Sequence, residues 1–220
     1  MCIRDRLATE PEMARDISPR ILQSTRAINE LFDSLFDLTR IDAGNYKVRL
    51  QHVDVRQLFA DLALQFEPVA AGKSLKLRTH SAPTTIWADP VVLRRILGNL
   101  LSNAIKHTSR GGVLLGLRRR PDMLMFEVWD TGVGIAREHQ QAIFQEFFRI
   151  SQHQGTEDSL GLGLTIVSRL ATMMGYQLAL SSEADRGSVF RVMLPAYTQR
   201  DEEHEAGPSV VLNSEMMPLR

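Results

Sequence analysis

Residues 127 to 136 read EVWDTGVGIA, and the Asp-Thr-Gly at their centre closes an apolar run at Asp130. Two unrelated chemistries use such a triplet. It serves as half of an aspartic-protease dyad, or as the floor of a nucleotide pocket in which Asp130 faces a base and Gly132 and Gly134 open the backbone beside it. A protease needs a second Asp-Thr-Gly, from the same chain or from a dimer of nearly all-β subunits, because its two carboxylates share one proton. The chain holds no second copy, and helical patterns flank the first. The pocket is the better reading.

The strand leading into the triplet supports it. By period-two alternation Leu124, Phe126 and Val128 point to one side, so the carboxylate of Asp130 emerges at the rim of an apolar face. There it is costly unless a donor meets it. The exocyclic amine of adenine is such a donor, whereas guanine presents a carbonyl oxygen and is repelled. The competing use of Asp-X-Gly is a turn in which the aspartate bonds its own backbone.

Upstream, Asp89-Pro90 is a helix start, a capping carboxylate followed by proline at the first helical position. The helix runs to about His107. Leu93, Ile96, Leu97, Leu100, Leu101, Ala104 and Ile105 form its broad apolar face, and Asn99, Asn103 and Lys106 form a narrow stripe on roughly the other side. A polar stripe is ordinarily a solvated face, but two amides and one ammonium in line also offer oxygen ligands to Mg²⁺ and a cation to phosphate oxygens. Downstream, LGLGL (160–164) sets Gly161 and Gly163 at the start of a helix carrying Leu164, Ile166, Val167 and Leu170. Free amides and the positive dipole end make an anion site there, although glycines also serve close helix packing. Between the glycine segments, IFQEFFRI lets Phe144, Phe147 and Phe148 pin one end of a polar stretch, with Arg149 placed to reach a terminal phosphate. That stretch, Ile150 to Ser159, reads as a lid over a ligand rather than an ordinary surface loop.

The rest of the chain frames this centre. With 220 residues, 26 basic and 26 acidic, the chain has room for one domain plus an appendage, and no global field that favours nucleic acid or an anionic membrane. One cysteine excludes an internal disulfide and fits the cytoplasm; no apolar run spans a bilayer, so membrane attachment would come only from upstream sequence. The opening MCIRDR (1–6) shares no capping or amphipathic pattern with its neighbours and reads as a non-native leader. From Ser18 to about Ala43, Ile21, Ile28 and Leu35 recur every seven residues, with Leu31 and Leu38 between them and Phe32 and Phe36 widening the stripe. This is one helix of a bundle, stopped at Gly44, and its unburied stripe implies a dimer or missing upstream sequence. YKVRLQHVDV (46–55) reads as a strand. It is followed by a helix capped by Asp54, with Val55, Leu58, Phe59, Leu62, Phe66 and Val69 on one face and an end before Gly72. SLKLRTH, Gly112 to Arg118, Met123 to Asp130, YQLALSS and SVFRVMLP read as strands, Glu138 to Phe148 as a short helix, and Arg118-Arg119-Arg120 as a solvated hairpin end. The segment from Tyr197 onward reads as a linker.

In this order the segments resemble the histidine-kinase branch of the ATPase superfamily that also contains gyrase, the Hsp90 chaperones and MutL. LGNLLSNAIKHT resembles the N box, DTGVGI the first glycine box, IFQEFFRI the F box, LGLGL the second glycine box, and DRGSVFRVMLP the closing Gly-Ser/Thr and strand. SLFDLTRIDAGN is similar to the second helix of a dimerisation and phosphotransfer domain, and the texture is closest to hybrid sensor kinases, in which a receiver domain often follows. The resemblance implies an α/β (α+β) two-layer sandwich of a mixed sheet on helices, the Bergerat fold. One bundle helix (7–45) would precede the catalytic domain (46–196), and a linker (197–220) would follow. It implies ATP and Mg²⁺ as ligands. Asn99 and Asn103 would hold metal and phosphates, Lys106 the phosphates, and Asp130 the adenine amine. Gly132, Gly134, Gly161 and Gly163 would shape the pocket and lid, and Ile135, Phe144, Arg149, Leu162, Leu164 and Ser188 join the nucleotide-contact set by box position. Implied partners are a second copy through the N-terminal helix and a response regulator or receiver domain. Ser159 stands where the second glycine box usually begins with glycine.

The resemblance also bears on the chemistry. Hydrolysing members place a glutamate, as general base for water, four residues before the metal-binding asparagine. Here that position is Asn99, an amide without useful basicity. The domain is therefore expected to offer the γ-phosphoryl to a histidine rather than to water. None of His52, His80, His107, His139, His153 and His204 has the family's acceptor context, which places the acceptor on a helix outside this chain. A nucleotide-binding or dimerising signalling module without catalysis is the alternative, and a serine kinase of the anti-sigma type, which lacks the bundle helix, is a third.

Overall fold

The computed structural model describes Phe32, Phe36 and residues 38–41, 43–44, 46–150 and 161–195. The expected lid with Ser159, most of the N-terminal helix, the leader and the linker lie outside the described residues. Among the described residues seven strands and three helices follow one another: β1 (Gln51–Asp54), α1 (Val55–Gly72), β2 (Lys76–His80), β3 (Thr85–Ala88), α2 (Pro90–His107), β4 (Gly112–Arg119), β5 (Met123–Asp130), α3 (Gly163–Met173), β6 (Gln177–Glu183) and β7 (Gly187–Pro195).

The main sheet has the order β2-β4-β5-β7-β6, with β2 parallel to β4 and every other pair antiparallel. Strand β5 is central, and its register sets Asp130 opposite Val113 on one side and Ser188 on the other. Along β4, β5 and β7 alternate residues are buried against the helices: Val113, Leu115 and Leu117; Leu124, Phe126 and Val128; Phe190, Val192 and Leu194. Helix α2 meets them with Leu93, Ile96, Leu97, Leu100, Leu101, Ala104 and Ile105, all buried. The anticipated face is the observed one.

Both helix starts follow their carboxylates. Asp54 Oδ1 accepts the N–H groups of Arg56 and Gln57, and Asp89 Oδ1 accepts those of Val91 and Val92. Asp89 is buried because its Oδ2 also accepts the Arg49 N–H at 2.8 Å, joining the entry segment to α2. Gly44, at φ +64, donates to the Ile41 carbonyl and stops the N-terminal helix. In that helix Phe32 and Phe36 are exposed and Leu38 is buried.

Four expectations are corrected. The strand expected from Tyr46 is ordered as a strand only over Gln51–Asp54, where β3 supplies an antiparallel partner; Val48 and Leu50 have none and are exposed. Strand β3 itself was missed, although its alternation buries Ile86 and Ala88. Val69 is exposed, and the buried residue near the end of the helix is Ala70 instead. The helix expected from Glu138 to Phe148 is two single 3₁₀ turns, Arg137–His139 and Ala142–Phe144. Gln145 is extended and Phe147 is left-handed at φ +61, which breaks any continuous helix.

The hairpin arginines Arg118, Arg119 and Arg120 are exposed, as expected of a solvated hairpin end, but Arg118 also has a partner. On the sheet face away from the helices Glu127 is buried, and Arg118 and Arg191 close on it at 2.8 and 3.0 Å. Arg118 therefore neutralises a buried carboxylate while its own side chain stays half in water.

Candidate functional site

Asp130 sits at the end of the central strand with its side chain half-buried and facing an open cleft. Its Oδ1 accepts the N–H of Gly132 at 2.8 Å and that of Ser188 at 3.3 Å. Burial pushes its carboxyl above the ordinary value, and the bonds from Gly132 and Ser188 pull it part of the way back. The Gly132 bond is the local aspartate turn that competed with the pocket reading. The two coexist, since the turn uses Oδ1 while the side chain lines the cleft.

The loop after Asp130 threads between the end of α2 and β6, and this is where its glycines are needed. A Cβ on Gly132 would overlap the His107 carbonyl oxygen. Gly134 adopts φ +64, and a Cβ there would overlap the Glu183 carbonyl. The Val133 N–H reaches the His107 carbonyl at 3.3 Å, and the Ile135 N–H donates to Ser182 Oγ at 2.8 Å. Gln140 Nε2 donates to the Ile135 and Ser182 carbonyls at 3.0 and 3.1 Å. Sequence reasoning missed Ser182 and Gln140, because nothing in a single strand or a polar turn shows which backbone they will clamp.

At the other end of the cleft α3 begins at Gly163. Its N-cap, Leu162, has no side chain able to take the first amides, so among the described residues no side chain caps this start, and the positive end of its dipole is there. An added Cβ on Gly163 would stand 3.5 Å from Asn99 Oδ1 and 3.8 Å from Asn103 Nδ2, so both amides sit against this start. They are half-buried rather than solvated, and Asn99 Nδ2 is a buried donor without a hydrogen-bond partner. Leaving such a donor unmet costs about 1–3 kcal/mol, and an acceptor brought in by a ligand relieves it.

The cleft is lined by nine of the candidates: Asn103, Asp130, Gly134, Ile135, Arg149, Gly161, Gly163, Leu164 and Ser188. The other five lie around it. Asn99 stands behind Gly163, Gly132 packs on α2, Leu162 is in the core, Phe144 packs against the core, and Lys106 is half-buried in the last turn of α2. The Lys106 carbonyl accepts Lys73 Nζ at 2.8 Å. His107, Val133, Ile143, Phe148 and Phe190 also line the cleft. His107 had a sequence signal, lying one turn beyond Asn103 on the same stripe. Phe147 is exposed, while Phe148 packs inward beside His139.

Among the described residues no three His, Cys, Asp or Glu side chains gather as a metal site. A cation here would rest on amide oxygens and on oxygens brought by a ligand. Two neutral amides suit Mg²⁺ in that role, since it keeps most of its six positions for water and phosphate. Among the described residues no helix is long and apolar enough to cross a membrane.

A mixed five-stranded sheet backed by helices, with a cleft between the end of its central strand and a glycine-started helix, is a two-layer α/β sandwich of the Bergerat type. The chain belongs to the histidine kinase-, DNA gyrase B-, and HSP90-like ATPase family, whose pattern matches residues 88–198. It is similar to the sensor histidine kinase RcsC of Escherichia coli K12, at 31% identity over 182 residues that cover 79% of this chain and 19% of RcsC. To the sensor protein TorS of the same organism it is 33% identical over 196 residues, 86% of this chain and 21% of TorS. Among solved structures, full-length ShkA in complex with AMPPNP matches with a TM-score of 0.73 at 31% identity, covering 84% of this chain and 39% of that one. The chain thus spans about a fifth of the length of these curated relatives.

Proposed function

We propose that this chain is the ATP-binding catalytic part of a sensor histidine kinase, which passes the γ-phosphoryl of ATP to a histidine on a dimerisation domain. The observation that carries the reading is the pairing of two ends in one cleft: a half-buried carboxylate at Asp130, and the glycine-lined start of α3 against Asn99 and Asn103. ShkA, of similar fold and sequence, is seen with AMPPNP, and RcsC is a sensor histidine kinase.

In this reading adenine lies at Asp130, which accepts its amine, between Ile135, Ile143 and Phe190. The phosphates lie at the start of α3, where Gly161 and Gly163 allow close approach and Arg149 closes the mouth. Lys106 adds a cation from the last turn of α2. Asn99 and Asn103 would hold Mg²⁺ and phosphate oxygens, and the metal would supply charge that balances the transferring phosphoryl. Asn99 offers water no base, so the γ-phosphoryl waits for a nucleophile brought by another domain. Residues 7–45 belong, in this account, to the dimerisation helix pair, where the exposed Phe32 and Phe36 meet a partner helix. A response regulator or receiver domain then accepts the phosphoryl, and residues 197–220 serve as a linker. The working compartment is the cytoplasm.

The test is incubation with radiolabelled Mg-ATP, of the chain alone and with the histidine-bearing helix pair supplied in trans. Label is expected only on the helix pair, labile to acid and stable to alkali. Stable self-labelling of this chain, or an acid-stable and alkali-labile label, contradicts the reading.

A further inference from the structure

Lys73 ties the end of α1 to the end of α2. Where the α1 ladder stops, Ser74 adopts a left-handed φ of +58; its N–H donates to the Ala71 carbonyl, and the Leu75 N–H donates to that of Ala70, both at 2.9 Å. This nested pair of bonds is the helix stop usually built on glycine, here built on a serine. A left-handed serine persists only where its surroundings hold it, and its neighbours Ala70 and Leu75 are both buried in the core. The stop fixes the backbone from which the Lys73 side chain leaves.

Its ammonium donates to the Ile105 carbonyl at 3.0 Å and to the Lys106 carbonyl at 2.8 Å. The last carbonyls of a helix lack amide partners of their own. From Ala104 to His107 each carbonyl meets a donor from outside the α2 ladder. Ala104 accepts the Thr108 hydroxyl at 2.7 Å, Ile105 and Lys106 share Lys73, and His107 accepts the Val133 N–H at 3.3 Å. One side chain thus serves two of these carbonyls, and it sets a positive charge at the negative end of the α2 dipole. The turn it holds carries Lys106 and follows directly on Asn103, which lines the cleft with His107. Lys73 is not among the residues lining the cleft, so any effect on a ligand passes through the helix end.

We propose that Lys73 is a positioning residue that holds the last turn of α2, and with it Asn103 and Lys106, in the orientation that meets nucleotide phosphates. This rests on the reading that places the phosphates between this turn and the start of α3. Without the ammonium, the Ile105 and Lys106 carbonyls turn to water, the last turn frays, and Lys106 moves with it. The loop at the base end keeps its own ties, through Ser182 Oγ and Gln140 Nε2, so the loss falls on the phosphates rather than on the base.

The experiment compares Lys73→Met, which keeps the stem and loses the donor, with Lys73→Arg, which keeps a cationic donor. Glu127→Ala, on the far face of the sheet, serves as a control for lost stability alone. A bound fluorescent ATP analogue is displaced by ATP or by adenosine in Mg²⁺, well below the melting point of every variant, and the ratio of the two affinities is read. Lys73→Met is expected to lower the preference for ATP over adenosine roughly tenfold, while Lys73→Arg keeps most of it. Glu127→Ala is expected to melt earlier and leave the ratio. An unchanged ratio in Lys73→Met, an equal loss of ATP and adenosine, or a loss in Lys73→Arg as large as in Lys73→Met overturns the proposal. If the parent chain binds ATP no better than adenosine, the phosphate assignment fails first and takes this inference with it.

Discussion

Replacing Asp130 by Asn separates what this side chain does for binding from what it does for the fold. The asparagine carbonyl can still accept the N–H groups of Gly132 and Ser188, which hold Oδ1 at 2.8 and 3.3 Å, so the turn survives. What changes is the atom left for the base: a carboxylate oxygen becomes an NH₂ that faces the amine of adenine, donor against donor. A hydrogen bond to a charged acceptor contributes about 1.5–3 kcal/mol, so a loss of about 2 kcal/mol or more is expected, at least roughly thirtyfold in Kd. The stability effect has the opposite sign. Burial raises the Asp130 carboxyl above its unfolded value. The folded state therefore holds the extra proton between the two values, and its stability falls as pH rises through that window. Asparagine has no charge to bury, so the ligand-free variant should melt no lower than the parent at neutral pH. ATP binding by the parent should fade as pH drops through the raised carboxyl value, and the variant should lack that acid limb. Calorimetric titration with Mg-ATP and melting across pH read both effects. Parent-like ATP affinity in Asp130→Asn would refute the assignment of this carboxylate to the base.

Asn103→Ala should remove the Mg²⁺ dependence of ATP binding while the helix persists, alanine being the better helix former; nucleotide titration with metal and with a chelator checks it. Gly134→Ala should cost about 1–3 kcal/mol in urea denaturation, since the left-handed φ and the Glu183 carbonyl both oppose a Cβ, and should weaken nucleotide binding as well. Glu127→Ala should destabilise by about 2 kcal/mol, below the range for fully buried pairs because Arg118 is half in water, and should leave ATP affinity unchanged from the far face of the sheet. Denaturation and titration on the same variant test both halves.

Much of this molecule is legible where local chemistry and burial agree. Asp54 and Asp89 cap the helices their positions announce, and the alternation of Leu124, Phe126 and Val128 fixes which way Asp130 faces. The Asn99 and Asn103 stripe is legible as a polar line on α2 but misleading as environment, because α3 packs over it and half-buries both amides. Strand β3 is only Thr-Ile-Trp-Ala, too short to announce itself without its partner β1. The 137–148 segment has aromatic residues at helical spacing, yet Phe147 turns left-handed and Phe148 packs beside His139. Ser182 is silent in sequence because its partners, Ile135 and Ser188, lie on different segments brought together only by the β6–β7 hairpin and the glycine loop.

The most direct measurement is equilibrium titration of the chain with ATP, with and without Mg²⁺, followed by assay of the same samples for released phosphate. One saturable site per chain is expected, tighter with Mg²⁺, and no sustained phosphate release, because in the proposed reading Asn99, an amide without useful basicity, takes the place of a base for water. Absence of saturable binding, or steady turnover of ATP to free phosphate, would contradict the assignment of this cleft to ATP held for transfer.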